Sequence, residues 1–199
     1  MKVCTCLNPL HTALAIFGCL LGYTKISDEM KDADLVRLIE TVGYVEGLPV
    51  VVDPGILAPK AFIDNVVQVR LPNPFMPDTP QRIACDTSQK LSIRFGETIK
   101  SYLRPSSLDV ASLRAIPLVL AGWLRYLQGV DDAGQPFACS PDPLLESARE
   151  RLASDLPGLL ADTAIFGVDL HEAGLAERVT ALLAELSRGP GSVRRALQS

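Results

Sequence analysis

The chain has 199 residues, with 19 Lys and Arg against 23 Asp and Glu and a formal net charge of −4. This length suits one domain that buries its own core. Because the charges are interspersed and no basic block is present, nucleic acid and anionic membranes are not expected as main partners.

The first stretch, MKVCTCLNPLHTALAIFGCLLGY, has three competing interpretations. The apolar run over residues 12–23 has the length of a signal-peptide core, but Asn8, Pro9 and His11 interrupt its start and no good cleavage site follows. It is also shorter than the roughly 18 to 20 apolar residues that span a bilayer. The favoured interpretation is a helix to about Leu21, with Asn8 as its N-cap and Pro9 at its first position.

A metal site is the third interpretation, because Cys4 and Cys6 form a Cys-x-Cys pair. No second cysteine or histidine pair completes the set of about four ligands that structural zinc needs, so we expect no metal. The five cysteines are an odd number and do not form an obvious disulfide framework. Such usage is typical of a reducing compartment, and we expect a cytoplasmic protein.

Helical periodicity dominates the rest of the chain and predicts a mainly α domain over residues 1–199. Ser27 is expected to cap the second helix, Gly43 to close it, and Pro117 to kink a later one. Four prolines in residues 71–80 exclude a helix there. Helices are predicted over residues 27–43, 59–69, 79–103, 107–127, 144–156 and 171–186, followed by a basic end that frays after residues 189–191.

The glycines form no phosphate-binding motif. Neither G-x-G-x-x-G after a strand nor G-x4-G-K-[ST] is present, and these are the motifs that cradle nucleotide phosphates. The chain is therefore not expected to hold a dinucleotide by itself.

Asn8 and His11 are the first candidate site. Their i, i+3 spacing places both side chains on nearly the same face of a helix start. A neutral imidazole beside an amide can polarise an alcohol, and the helix dipole lowers the proton affinity of the imidazole. The alternative, that Asn8 only caps the helix and His11 is a buried core residue, stays open at this point.

Arg82, Asp86 and Lys90 form the second candidate, at i, i+4 and i+8 of one predicted helix face. Such a ladder usually faces solvent, but two cations on a firmly fixed helix also suit hydroxyls or a carboxylate. Lys2 is the third candidate. A lysine acts as a general base only where burial or a nearby cation lowers its pKa, and otherwise remains a solvated cation.

Two motifs carry a resemblance to a known family. A lysine followed by L-N-x-x-H at the start of an apolar helix, together with N-P-F-x-P-D-T-P-Q-R-I-A-x-D-T-S-Q-K, resembles the C-terminal domain of the long-chain mannitol dehydrogenases. That family includes mannitol 2-dehydrogenase, mannitol-1-phosphate 5-dehydrogenase and the fructuronate and tagaturonate reductases. The resemblance is distinctive over residues 2–103 and looser beyond.

The resemblance implies roles for five residues. Lys2 is implied as the general base on the reacting hydroxyl, and Asn8 and His11 as the groups that orient its oxygen. Arg82 and Lys90 match the pair that contacts the distal part of a polyol. Lys2 departs from the family pattern, because it precedes the asparagine by six positions rather than five.

The resemblance also implies a two-domain, metal-independent enzyme in which an N-terminal Rossmann domain holds NAD or NADP. We therefore expect this chain to be the substrate domain of an oxidoreductase for a sugar alcohol or hexonate, without its dinucleotide-binding domain and inactive alone. That domain is expected in the same polypeptide or as a separate one. The alternative is a non-catalytic helical binding or assembly module.

Overall fold

The structure, a computed structural model, describes residues 7–51, 55, 58–105 and 108–199. These residues form helices and turns, with an antiparallel bridge between Val130 and Pro136, which confirms the mainly α prediction. In this part of the chain, no helix is both long and apolar enough to cross a membrane. The α-helices are α1 (Asn8–Leu20), α2 (Ile26–Glu29), α3 (Ala33–Glu40), α4 (Pro59–Asn65), α5 (Pro80–Ile83), α6 (Glu97–Leu103), α7 (Ala115–Leu127), α8 (Leu145–Ser154), α9 (Leu156–Leu160), α10 (Thr163–Phe166), α11 (Ala176–Leu186) and α12 (Ser192–Gln198).

The centre of the molecule consists of α1 and α7, two apolar helices of 13 residues each that are almost completely buried. They pack closely because Gly122 has no side chain: a Cβ atom there would lie 2.7 Å from Cζ of Phe17. Trp123 is a core residue, with an edge-to-face contact to Phe166 at 5.7 Å between ring centroids. The close packing against α7 thus holds α1 rigidly in place.

The start of α1 differs from the prediction by one residue. Leu7 is the N-cap and already has right-handed helical backbone angles (φ −113°, ψ −54°), so Asn8 is the first residue inside the helix. The prediction that Asn8 caps the helix is therefore wrong. The end agrees better, since the helix stops at Leu20 and Gly22 takes a positive φ of 77°.

The predicted helix over residues 27–43 is two helices, α2 and α3. The break occurs because the Asp32 carboxylate accepts hydrogen bonds from the backbone N–H groups of Asp34 and Leu35, at 3.0 and 3.4 Å, and so caps a new helix. Gly43 does not end α3 but lies within the π-helical turn Thr41–Gly47. A Cβ atom there would lie 3.3 Å from the Leu10 side chain, so this turn packs directly on α1.

The predicted helix over residues 79–103 begins as expected but is interrupted. The Thr79 hydroxyl caps α5 by accepting from the N–H of Arg82 at 3.2 Å. The helix then stops, because Asp86 adopts a left-handed conformation (φ 52°) and donates its N–H to the carbonyl of Pro141 at 2.9 Å. The chain continues through the 3-10 turn Thr87–Gln89 and the π-helical turn Ser92–Gly96 into α6.

The prediction that Pro117 kinks a long helix is also wrong. Since α7 starts at Ala115, Pro117 lies in its first turn, where a missing N–H leaves no intrahelical bond unmade. The N–H groups of Arg114, Ala115 and Ile116 donate to the carboxylate of Glu46 at 2.6 to 2.8 Å. A buried acid from the turn after α3 therefore closes the start of α7.

The basic C-terminal end does not fray. Residues 192–198 form α12, and Arg194 makes ion pairs with Asp32 at 2.7 Å and Asp34 at 3.0 Å. These side chains are mostly buried, which makes an ion pair stronger than it is in water. The end of the chain is thus part of the folded domain.

Candidate active site

The first turn of α1 carries two of the predicted site residues. Asn8 is half-buried and His11 is 9% exposed. Because they lie at i and i+3, both side chains face the same side of the helix start. Leu7, the cap residue, makes no side-chain capping bond, and Asn8 stands one position too late to cap. The amide of Asn8 is therefore not committed to holding the helix together.

His11 is neutral at neutral pH. Its pKa is lowered to about 4, chiefly by burial and further by the positive charges of Arg70, Arg94 and Arg82, while Asp78 opposes the shift. Its Nε2 atom lies 3.8 Å from Oδ2 of Asp78, which is beyond a hydrogen bond. A neutral imidazole can donate from one nitrogen and accept at the other. Burial rather than the helix dipole is thus the main reason for the neutral state.

Asp78, which the sequence argument missed, joins His11 to Arg82. Its buried carboxylate accepts a hydrogen bond from the Arg82 guanidinium, and its backbone carbonyl accepts from the N–H of Ile26 at 3.1 Å. The proline-rich segment therefore fixes an acid beside His11. The Arg82 side chain itself is 61% exposed and is held at the rim of the site by this one carboxylate.

The ladder predicted for Arg82, Asp86 and Lys90 does not form, because the helix breaks at Asp86. Lys90 instead donates to the backbone carbonyl of Cys85. Burial, reinforced by the charge of Arg94, lowers the pKa of Lys90. Arg82 and Lys90 thus do not share one helix face: Arg82 binds Asp78 beside His11, and Lys90 lies near Arg94.

Arg94 is a second residue that the sequence argument missed. It donates from Nη1 to the hydroxyl of Thr12 and, at 3.5 Å, to the carbonyl of Asn8. It therefore ties the first turn of α1 to the π-helical turn Ser92–Gly96. Arg94 follows Lys90 by one helical turn, which is a weak signal in the sequence. It also lies in a π-helical turn, and such turns are frequent at functional sites.

The site as a whole is positively charged. Three arginines, Arg70, Arg82 and Arg94, lie near His11 with Asp78 as the opposing carboxylate. Lys90 lies near Arg94, with the carboxylates of Asp86 and Asp142 also close to it. Such an arrangement suits a carboxylate or several hydroxyl oxygens. The described residues contain no group of three or more His, Cys, Asp or Glu side chains that could hold a metal. Lys2 lies outside the described residues.

Exposed apolar side chains stand next to these charged residues along the chain. Val69 is 61% exposed, Phe75 92%, Met76 36% and Ile93 56%. Val69 precedes Arg70, and Ile93 precedes Arg94. We call these four residues the apolar rim. Exposed large apolar side chains are candidates for contact with another body.

Two solved structures share the fold. Mannitol 2-dehydrogenase from Pseudomonas fluorescens, in a ternary complex with NAD and D-mannitol, superposes with a TM-score of 0.86 at 24% identity over 99% of this chain. A substrate-free D-sorbitol dehydrogenase superposes with a TM-score of 0.81 at 24% identity over 98% of this chain. This chain covers 39% and 40% of those two proteins.

Sequence comparison finds relatives that are also longer. A D-mannonate oxidoreductase from Thermotoga maritima is 54% identical over 100% of this chain and 39% of its own length. A D-mannonate oxidoreductase from Escherichia coli is 30% identical over 83% of this chain and 34% of its own length. The chain thus spans about two fifths or less of these relatives. The family model of the mannitol dehydrogenase C-terminal domain matches residues 1–187, and the chain belongs to that family.

Proposed function

We propose that this chain supplies the substrate-binding and catalytic side chains of an NAD(P)-dependent oxidoreductase. The reacting group is a CH–OH of a hexonate such as mannonate, or of a sugar alcohol. The observation that carries the proposal is the pair formed by the uncommitted amide of Asn8 and the neutral imidazole of His11, with cations around it. The Thermotoga maritima relative, named as a D-mannonate oxidoreductase, supports the choice of substrate class.

The two neutral groups act on the substrate oxygen. The Asn8 amide and the His11 imidazole hold the hydroxyl oxygen by hydrogen bonds and stabilise the negative charge that develops as its proton leaves. Lys2 is the proposed base that takes this proton. Burial and the charge of Arg94 keep the His11 imidazole neutral, so that His11 does not compete as an acid. Lys2 can take the proton only in its unprotonated form, and a lysine is unprotonated near neutral pH where burial or nearby cations lower its pKa.

The carboxylate of a hexonate would lie among the cations. Arg82 and Lys90 are proposed to bind the distal end of the substrate, where charge-assisted hydrogen bonds serve carboxylate and hydroxyl oxygens alike. Arg82 is exposed enough to turn towards a ligand, whereas Lys90 is half-buried and fixed by the Cys85 carbonyl. A neutral polyol would use the same residues with less electrostatic gain.

The chain's own residues do not fit a dinucleotide, since the sequence has no glycine-rich phosphate cradle. NAD(P) is therefore proposed to lie on a separate domain, in the same polypeptide or on another chain, and when bound its nicotinamide would accept the hydride. The apolar rim is the proposed contact for that domain, because Val69 and Ile93 directly precede Arg70 and Arg94 in the chain and the longer relatives have additional chain. The chain alone is proposed to be inactive.

The test is a chimera in which this chain replaces the matching 39% of the Thermotoga maritima relative. We expect D-mannonate-dependent reduction of NAD or NADP. His11→Ala should lower kcat/KM by about 100-fold to 1,000-fold, the usual cost of a lost oxygen-stabilising donor. His171→Ala is the matched control, because His171 is the second of two histidines and lies on the surface.

Lys2→Met in the same chimera should abolish turnover, and Lys25→Met should not. A chimera that folds and binds cofactor but turns over neither D-mannonate nor D-mannitol would contradict the proposal. If such a chimera still bound the sugar acid, a non-catalytic binding module would be the better description.

A further inference from the structure

A cavity of about 400 Å³ lies where α3, α7, α11 and α12 meet. None of the candidate active-site residues lines it. Its size falls at the small end of the range for ligand sites, which runs from roughly 300 to 1,000 Å³. Three arginines line it, Arg37, Arg114 and Arg178, and its described lining contains no acidic side chain. In a chain with a net charge of −4, this is a local concentration of positive charge.

Backbone and carboxylate contacts hold two of the arginines in place. Arg37 donates from Nη2 to Asp34 at 2.9 Å and to the carbonyl of Leu197 at 2.7 Å. Arg178 donates from Nη1 to the carbonyls of Ala111 and Leu113 at 3.0 and 2.5 Å. A guanidinium has five N–H donors, and these bonds use one terminal nitrogen of each. The fixed side chains thus keep donors for a ligand.

Two acids, Asp34 and Glu46, lie near the cavity but are not part of its lining. Asp34 also pairs with Arg194 at 3.0 Å. Glu46 lies close enough to Arg178 for the two charges to attract, but it is 3% exposed and accepts the three N–H groups at the start of α7. Neither carboxylate lines the cavity. Among the described residues, no acidic side chain therefore lies in the lining beside the three arginines.

The opposite side of the cavity is apolar, with Leu118, Leu182 and Leu197 in its lining. We propose that this cavity is a second ligand site, which takes an organic anion with a short apolar body. Its carboxylate or phosphate lies between the guanidinium groups of Arg114 and Arg178, and its carbon chain lies on the leucines. Because α12 forms one wall, bound ligand also holds the C-terminal helix in place.

The experiment is an NMR titration of the 15N-labelled 199-residue chain with hexanoate, hexyl phosphate and 1-hexanol. The three probes share the apolar body and differ in the head group. We expect saturable shifts of amide signals in α3, α7, α11 and α12 with both anions, and binding at least about tenfold weaker for the alcohol, since charge-assisted bonds are the stronger ones. The two anions distinguish a carboxylate site from a phosphate site.

Arg114→Gln is the test variant, because its exposed side chain can change while its backbone N–H still donates to Glu46. We expect about tenfold weaker binding of the anions and unchanged binding in the control Arg104→Gln, which alters an arginine outside the cavity. Equal affinity for 1-hexanol, shifts that map to other helices, or an Arg114→Gln variant that binds as well as the parent would each overturn the proposal. These outcomes are independent of any oxidoreductase activity.

Discussion

The starts of α1 and α7 differ, although the two helices are alike in length, burial and position. At α7 the buried carboxylate of Glu46 accepts three N–H groups, and Pro117 follows in the first turn. At α1 the cap residue Leu7 makes no side-chain bond, and Asn8 stands inside the helix. Both starts carry the positive end of a helix dipole. At the start of α7, the protein itself supplies the negative charge through Glu46.

The difference supports the proposal that the start of α1 is functional and that the start of α7 is structural. A helix start that receives an internal carboxylate needs nothing more, and its contribution is stability. The start of α1 instead has a neutral His11, an uncommitted amide and Arg94 against its first turn. Polar groups kept away from water without a capping role cost stability, and we propose that Asn8 and His11 are retained for a ligand.

Replacement of the acid at α7 is the largest expected effect. Glu46→Ala removes the acceptor of three N–H groups, two of which are buried, and unsatisfied buried donors cost about 1 to 3 kcal/mol each. We expect the free energy of unfolding in urea to fall by about 4 kcal/mol. The control is Glu40→Ala, an exposed glutamate in α3, which should change it by less than about 0.5 kcal/mol. Equal effects of the two variants would remove the contrast between the helix starts.

Acid should act on α1 through His11. The folded pKa of about 4 lies below the ordinary 6.5, so the unfolded chain binds the proton first. The contribution of neutral His11 to the free energy of unfolding is therefore complete above pH 6.5. It declines as the pH falls towards 4, by up to about 3 kcal/mol. Burial raises the pKa of Glu29 from the ordinary 4.5 to about 9. The contribution of Glu29 to stability therefore decreases as the pH rises through this range, opposite to that of His11. The measurement is thus the difference between the parent chain and His11→Gln in urea unfolding at several pH values.

The sequence predicted the pair of side chains at α1 but not the start of α7. Asn8 and His11 were found from their spacing, because i, i+3 neighbours share a face whichever residue is the cap. Glu46 was not found, since it lies 68 residues from the first N–H that it accepts, and local patterns contain no information on such a pairing. Pro117 was placed correctly in a helix but at the wrong point, for the same reason.

The second half of the site shows the same limit. The helix start at Thr79 depends on a local bond and agrees with the predicted start of the helix over residues 79–103. The break at Asp86 depends on a hydrogen bond to Pro141, which the apolar pattern of residues 79–103 does not reveal. Arg94 then reaches Thr12 and Asn8 across 82 and 86 residues. Long-range contacts, rather than helix propensity, decided where the cations lie.

Asn8→Ala separates function from stability at α1. Loss of a true cap costs about 1 kcal/mol, but Asn8 is not a cap, so we expect a change below about 0.5 kcal/mol in the free energy of unfolding. In the chimera, kcat should fall by about 100-fold as an oxygen-stabilising donor is lost. Asp32→Ala, which removes a true cap from α3, is the control for stability. A drop in stability as large as that of Asp32→Ala would show that Asn8 is structural after all.

The smallest effect is expected from Arg94, whose charge contributes to the low pKa of His11 after burial and Arg70. Arg94→Met should raise the pKa of His11, and Arg94→Lys, which keeps the charge, should change it less. The chain has two histidines, so NMR titration of the imidazole signals reads His11 directly, with the surface residue His171 as internal reference. An unchanged His11 pKa in Arg94→Met would mean that Arg94 fixes the first turn of α1 only by its hydrogen bonds to Thr12 and Asn8. In that case Arg94→Lys should impair turnover in the chimera as much as Arg94→Met, because a lysine ammonium cannot reproduce the planar geometry of a guanidinium.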